Sequence, residues 1–227
     1  MITTVIFDLD DTLYDEVEYC RSGLKAVAEF IGSQPDMPSA EHIFNAFWKQ
    51  FSKGSRAKIF NAALKMLGVP YTDDSISKLV QVYREHNPAI TLPKDSRGVL
   101  DKLKAKYTLA LLTDGFLPAQ QLKVQALEIK QYFKCIIYTE QLGREFWKPS
   151  PVSFEKILQT LNVKPENAAY VADNAEKDFI APNNLGLLTI HIIRPAGIHK
   201  ESSNEPCASA RYVIHKISQL PALLDKS

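Results

Sequence analysis

Five short runs of apolar and β-branched residues constrain this chain most: Val5–Leu9, Leu109–Thr113, Cys135–Tyr138, Ala169–Asp173 and Leu187–Ile193. Each is the length of one strand, and all but the last, which carries Thr189 and His191, are apolar up to their polar ends. A strand that is apolar at every position needs cover on both faces. From about Asp95 onward helical patterns lie between the runs, which predicts a parallel sheet with helices packed on either side.

One interruption breaks the alternation. After the first run the period becomes helical and stays so until about Asn87. Val17, Cys20, Leu24, Val27, Ala28 and Ile31 share one helical face, and Phe44, Phe47, Trp48 and Phe51 make a second apolar stripe. A third helix carries Ile59, Phe60, Ala63, Leu64 and Leu67 and stops at Gly68, and a fourth carries Ile76, Leu79, Val80 and Tyr83 before Pro88. The reading is a helical bundle inserted after one strand, with residues 1–14 and 92–227 as the α/β core and residues 15–91 as the insert. Ile198 to Ala210 reads as a surface loop, Tyr212 to Ile214 as a last strand, and Ser218 to Asp225 as a closing helix.

Three of the runs end in polar residues at the edge where an open parallel sheet binds its ligands. The first delivers Asp8 and Asp10, two positions apart and so on one side of an extended chain. Two carboxylates held together raise each other's pKa unless a cation or a proton intervenes. A bound divalent metal would account for the pair, as would one protonated acid working beside an ionised one. Turn chemistry at Asp-Asp-Thr is the plainer alternative.

Composition removes several other functions. With 227 residues the chain can bury a full core and leave a smaller second unit. A formal net charge of +1 and the lack of any Lys/Arg block argue against nucleic-acid binding. Cys20, Cys135 and Cys207 are odd in number, lack metal-ligand spacing and read as reduced thiols. No leader or membrane-length apolar run is seen, so the expectation is a soluble cytoplasmic protein, monomer or homodimer.

Four motifs stand in order: Asp8-Leu9-Asp10-Asp11-Thr12, Thr113-Asp114-Gly115, Lys148-Pro149 and Asp173-Asn174-Ala175-Glu176-Lys177-Asp178. The ordered set resembles the signature of the haloacid dehalogenase superfamily, over nearly the whole chain. The resemblance implies a doubly wound, Rossmann-like core with a helical cap between the first and second motifs. It also implies a Mg²⁺-dependent phosphatase acting on a small phosphorylated metabolite, a sugar phosphate or nucleoside monophosphate, through an aspartyl-phosphate. Asp8 is then the nucleophile, and Asp10 the acid that protonates the leaving oxygen and later the base that activates water. Asp10 is expected to hold a proton while Asp8 stays ionised. Thr113 and the Asp114 N–H bind phosphoryl oxygens together with Lys148. Asp8, Asp173 and the Asp10 carbonyl hold Mg²⁺, with Asn174 and Asp178 supporting. Asp11 reads as a turn or cap residue.

The fourth motif has Ala172 where the family pattern usually has glycine, and Ala181-Pro182-Asn183-Asn184 predicts a short or kinked helix. The insert, as cap, is expected to choose the substrate, with Tyr14, Glu16, Arg21, Lys49, Lys53, Arg56 and Lys58 as candidates against a default of solvent-facing charge. A phosphomutase of the same family and a non-catalytic binding protein on the same fold are the alternatives.

Overall fold

The computed structural model describes residues 1–54, 56–197 and 207–226. Its chain divides into two compact units, Met1–Val17 with Thr91–Ser227, and Glu18–Ile90. The first is built on six parallel strands: β1 (Thr4–Phe7), β2 (Thr108–Thr113), β3 (Cys135–Tyr138), β4 (Ala168–Ala172), β5 (Leu188–Ile192) and β6 (Tyr212–Ile214). They lie in the order β3-β2-β1-β4-β5-β6, so successive strands run outward from β1 to one edge and then return to fill the other side. Such a reversal opens a crevice at the C-terminal ends of the central strands. The core is the Rossmann-like sheet expected.

Register places Phe7 beside Leu111 and Val171. The Asp8 N–H still donates to Val171 O at 2.9 Å, so Asp8 leaves the sheet level with the last residues of β2 and β4. Alternate residues Ile6, Ala110, Leu112 and Tyr170 form one core cluster with Phe154, Ile157 and Leu158 of α7 (Val152–Leu161) and with Phe179 and Ala181. Burying apolar side chains of this size contributes about 1.5–3 kcal/mol each. Val99, Leu100 and Leu103 of α5 (Lys94–Lys104) are also buried and lie outside that cluster.

The second unit contains most of α1 (Glu16–Gly32), with α2 (Ala40–Phe51), α3 (Ile59–Leu67) and α4 (Asp73–Glu85). Its core joins Leu24, Val27, Ala28 and Ile31 of α1 to Ile43, Phe47, Ala63, Leu64 and Leu79. Gly68 ends α3 with φ +68°, the left-handed cap that the sequence placed there. Trp48 stacks between Phe44 and Phe51. Arg21 lies 4.4 Å over Trp48 and Arg56 lies 5.2 Å over Phe51, while Lys49, Lys53 and Lys58 face solvent.

α6 (Ala119–Ala126) starts after the turn at Gly115, with φ +140°, and Pro118 disfavours helix in the residue before it. α7 begins after Pro151. One boundary differs from the sequence reading: the closing helix is a 3-10 turn over Ile217–Gln219 followed by α9 (Leu220–Leu224). The short helix expected around Pro182 is α8 (Ile180–Leu185), six residues long. Of the expected loop Ile198 to Ala210, residues 198–206 lie outside the described residues. Among those described, no helix is long and apolar enough to cross a membrane.

Candidate active site

Lys148 sits in the segment between β3 and α7, and its side chain is fully buried. An ammonium on a buried lysine has three N–H groups to satisfy, and here three oxygens meet them. Nζ is 2.6 Å from Asp8 Oδ1, 2.7 Å from Asp178 Oδ1 and 3.1 Å from the Tyr170 hydroxyl. Tyr170 in turn donates to Asp178 Oδ1 at 3.1 Å. Burial works against the lysine's charge, but Asp178 and Asp8 outweigh it and hold the lysine well above its ordinary value. Asp178 is also buried, yet Lys148, Lys177 and the Asn174 N–H keep it ionised below the usual range. Asn174 closes the turn after β4 by accepting from the Glu176 N–H at 3.0 Å.

Asp10 has a separate lysine. Lys123 Nζ lies 2.8 and 2.9 Å from its two oxygens, and the Tyr14 hydroxyl and Gln120 Nε2 donate to it as well. Burial alone would raise the Asp10 carboxyl, but Lys123, Tyr14 and Gln120 bring it below its ordinary value. Burial pushes Asp8 up to about 7 in spite of Lys148. Without a metal the surroundings thus favour the charged form of Asp10 more than that of Asp8, the reverse of the order expected. Asp8 and Asp10 do not titrate chiefly against each other, because each faces its own cation.

The crowding that matters is between Asp8 and Asp173. Asp173, at the end of β4, is raised well above the carboxylate range by burial first and by Asp8 next. Its main-chain carbonyl accepts from His191 Nε2 at 2.7 Å, which fixes the proton on that nitrogen. Among the described residues no three His, Cys, Asp or Glu side chains gather as metal ligands. The donor set is two desolvated carboxylates that repel each other. That chemistry fits Mg²⁺, a hard ion that usually keeps several waters and takes one or two carboxylates.

The remaining expected residues have definite places. Thr113 Oγ1 accepts from Gln120 Nε2 at 2.7 Å and does not cap α6. The Asp114 carboxylate accepts from Lys177 Nζ at 3.2 Å and from the Lys148 N–H at 3.4 Å, tying the second, third and fourth motifs together. Asp11, with φ +49°, accepts from the Glu16 N–H at 2.8 Å and so caps α1. Tyr14 is buried on Asp10, whereas the other proposed substrate determinants among the cations lie in the helical unit. Sequence reasoning missed Gln120, Lys123, Tyr170 and His191. The first two stand three apart on α6, a spacing that marks one helical face; the other two are polar groups inside otherwise apolar strands.

The C-terminal edge of the parallel sheet thus gathers these carboxylates around a buried lysine. The family model for haloacid dehalogenase-like hydrolases matches residues 5–192, and the chain belongs to that family. The glyceraldehyde 3-phosphate phosphatase of Methanopyrus kandleri is 29% identical over 202 residues, covering 86% of this chain and 85% of the relative. The enzyme of the same name from Methanocaldococcus jannaschii is 28% identical and covers 97% and 96%. A HAD-hydrolase of Bacillus subtilis, solved bound to magnesium, shares the fold at TM-score 0.69 with 21% identity over 99% of both chains. The chain is accordingly an enzyme of the phosphoric monoester hydrolase class.

Proposed function

We propose that this protein is a Mg²⁺-dependent phosphatase of a small phosphorylated sugar, working through an aspartyl-phosphate on Asp8. One observation carries the reading: two carboxylates two residues apart are held by different lysines, Asp8 by Lys148 and Asp10 by Lys123. Environments that separate two acids in this way divide their roles. Bound between Asp8 and Asp173, Mg²⁺ would supply positive charge to phosphoryl oxygens.

Asp8 attacks phosphorus, the bond to the sugar oxygen breaks, and Asp10 hands that oxygen a proton. Asp10, now ionised, takes a proton from water as the water attacks phosphorus, which releases phosphate and restores Asp8. The proton gained in the second step serves the next leaving group. A positioned acid/base of this kind contributes about 10²- to 10⁴-fold. Lys148 and the Thr113 hydroxyl bind the phosphoryl oxygens in both steps. Relatives named for glyceraldehyde 3-phosphate support a short sugar phosphate, and the helical unit is assigned the choice of leaving group.

Phosphate release from trioses, pentoses and hexoses bearing one phosphate, with and without Mg²⁺, tests the reading. The expected result is metal-dependent turnover that favours short sugars; folded protein releasing phosphate from none of them would overturn it.

The metal leaves a signature without turnover. Asp8 and Asp173 are raised when folded, so the folded chain binds more protons than the unfolded one above the ordinary carboxylate range. Metal-free protein should therefore lose stability as pH rises from about 4 to about 7. Asp10 and Asp178 are lowered and act in the opposite sense, in a window below this one. Mg²⁺ should restore the melting temperature at pH 7 and release protons on binding, read by calorimetry in buffers of different ionisation heat. A flat melting profile between pH 5 and 7, unmoved by Mg²⁺, would contradict this account.

A further inference from the structure

Gln120 and Lys123 are buried side chains on α6, three residues apart and so on one face. Gln120 Nε2 has two hydrogens and three oxygens within reach: Asp114 O at 2.6 Å, Thr113 Oγ1 at 2.7 Å and Asp10 Oδ2 at 2.9 Å. Because Thr113 accepts from this amide, its own hydroxyl hydrogen is left to point at another acceptor. Lys123 reaches both oxygens of Asp10. Gly115 shows how tightly the arrangement is built. A Cβ there would lie 3.0 Å from Gln120 Cγ and Cδ, so the glycine of the turn leaves room for the glutamine.

We propose that Gln120 and Lys123 are positioning residues for the proton-transfer half of the reaction. Gln120 orients the Thr113 hydroxyl as a donor and fixes one Asp10 oxygen, and Lys123 fixes the Asp10 carboxyl as a whole. The inference rests on the phosphatase reading, in which Asp10 protonates the leaving oxygen and Thr113 binds the phosphoryl group. A general acid works only when held within hydrogen-bond reach of the atom it serves, and α6 gives a hydrogen-bond partner to both Asp10 and Thr113. A single amide that contacts both groups couples the acid to the phosphoryl site.

The test compares leaving groups. An alkyl phosphate such as glyceraldehyde 3-phosphate needs a proton on its departing oxygen, whereas 2,4-dinitrophenyl phosphate leaves without one. For Lys123→Met, turnover of the alkyl ester should fall about 100-fold while the pre-steady-state burst of dinitrophenolate stays within about threefold of wild type. Lys123→Arg should recover part of the alkyl activity. Gln120→Leu, which leaves no buried charge unpaired, gives the same ratio if Lys123→Met does not fold, with a larger fall in the burst because Thr113 also loses its partner. A purely structural role would lower both substrates equally, and that result, or no change in either, overturns the inference while leaving the phosphatase reading intact. Wild-type protein that releases phosphate from neither ester overturns the phosphatase reading and this inference with it.

Discussion

Lys148→Met is expected to lose both turnover and stability. The lysine is the shared partner of Asp8, Asp178 and Tyr170, with no exposed side-chain surface. Removing one member of a buried ion pair typically costs about 3–5 kcal/mol, because the partner charge is left in a poor medium. Here Asp178 loses its nearest cation, and Asp8, pushed up to about 7, is stranded to the extent that it is ionised, so that range applies from neutral pH upward. Acid should soften the defect. Without Lys148 both carboxyls move up and take protons readily, so the gap from wild type narrows as pH falls from about 8 to about 5, around the value of about 7 for Asp8. Activity should fall by about 10²–10³-fold or more, the usual cost of removing one donor to developing charge. Urea unfolding at several pH values, beside phosphate release, measures both effects. An unchanged midpoint at pH 8 would show that the two carboxylates do not depend on this ammonium.

Asp8→Asn separates the two effects. Loss of the nucleophile should cut turnover by roughly 10⁴-fold or more. Stability should hold or rise at pH 7.5, since a carboxyl pushed up to about 7 by burial is replaced by a neutral amide. Lys148 keeps Asp178 and Tyr170. One variant thus dies folded while the other dies loosened, and the pair distinguishes a catalytic charge from a structural one. Residual turnover within tenfold of wild type would remove Asp8 from the nucleophile's role.

Much of the fold is legible because the strands are mostly apolar. The runs that begin at Val5, Leu109, Cys135, Ala169, Leu187 and Tyr212 all coincide with strands to within a residue or so. The motif residues were legible as an ordered set, three of the four motifs being polar groups placed where strands end. What the sequence could not show is which cation faces which carboxylate. Asp8 and Asp10 look like a repelling pair when read as neighbours, yet Lys148 and Lys123 arrive from segments well over a hundred residues away and set their charges separately. Gln120 and Lys123 read as ordinary polar positions on a short helix, and only the turn at Gly115 brings that helix against the end of β2. Tyr170 and His191 pass for strand filler, since one polar atom in an apolar run gives no sign of its partner.

The Lys148 ammonium has no spare hydrogen: each of its three is already given to an oxygen. Such a group cannot add a partner; it can only trade one. In the proposed reaction a phosphoryl oxygen arriving at Lys148 must take the hydrogen now held by Asp8, Asp178 or Tyr170, and Asp8 is the one partner that has to leave in order to attack. Substrate binding and release of the nucleophile are then one exchange, and an empty site keeps its own nucleophile occupied.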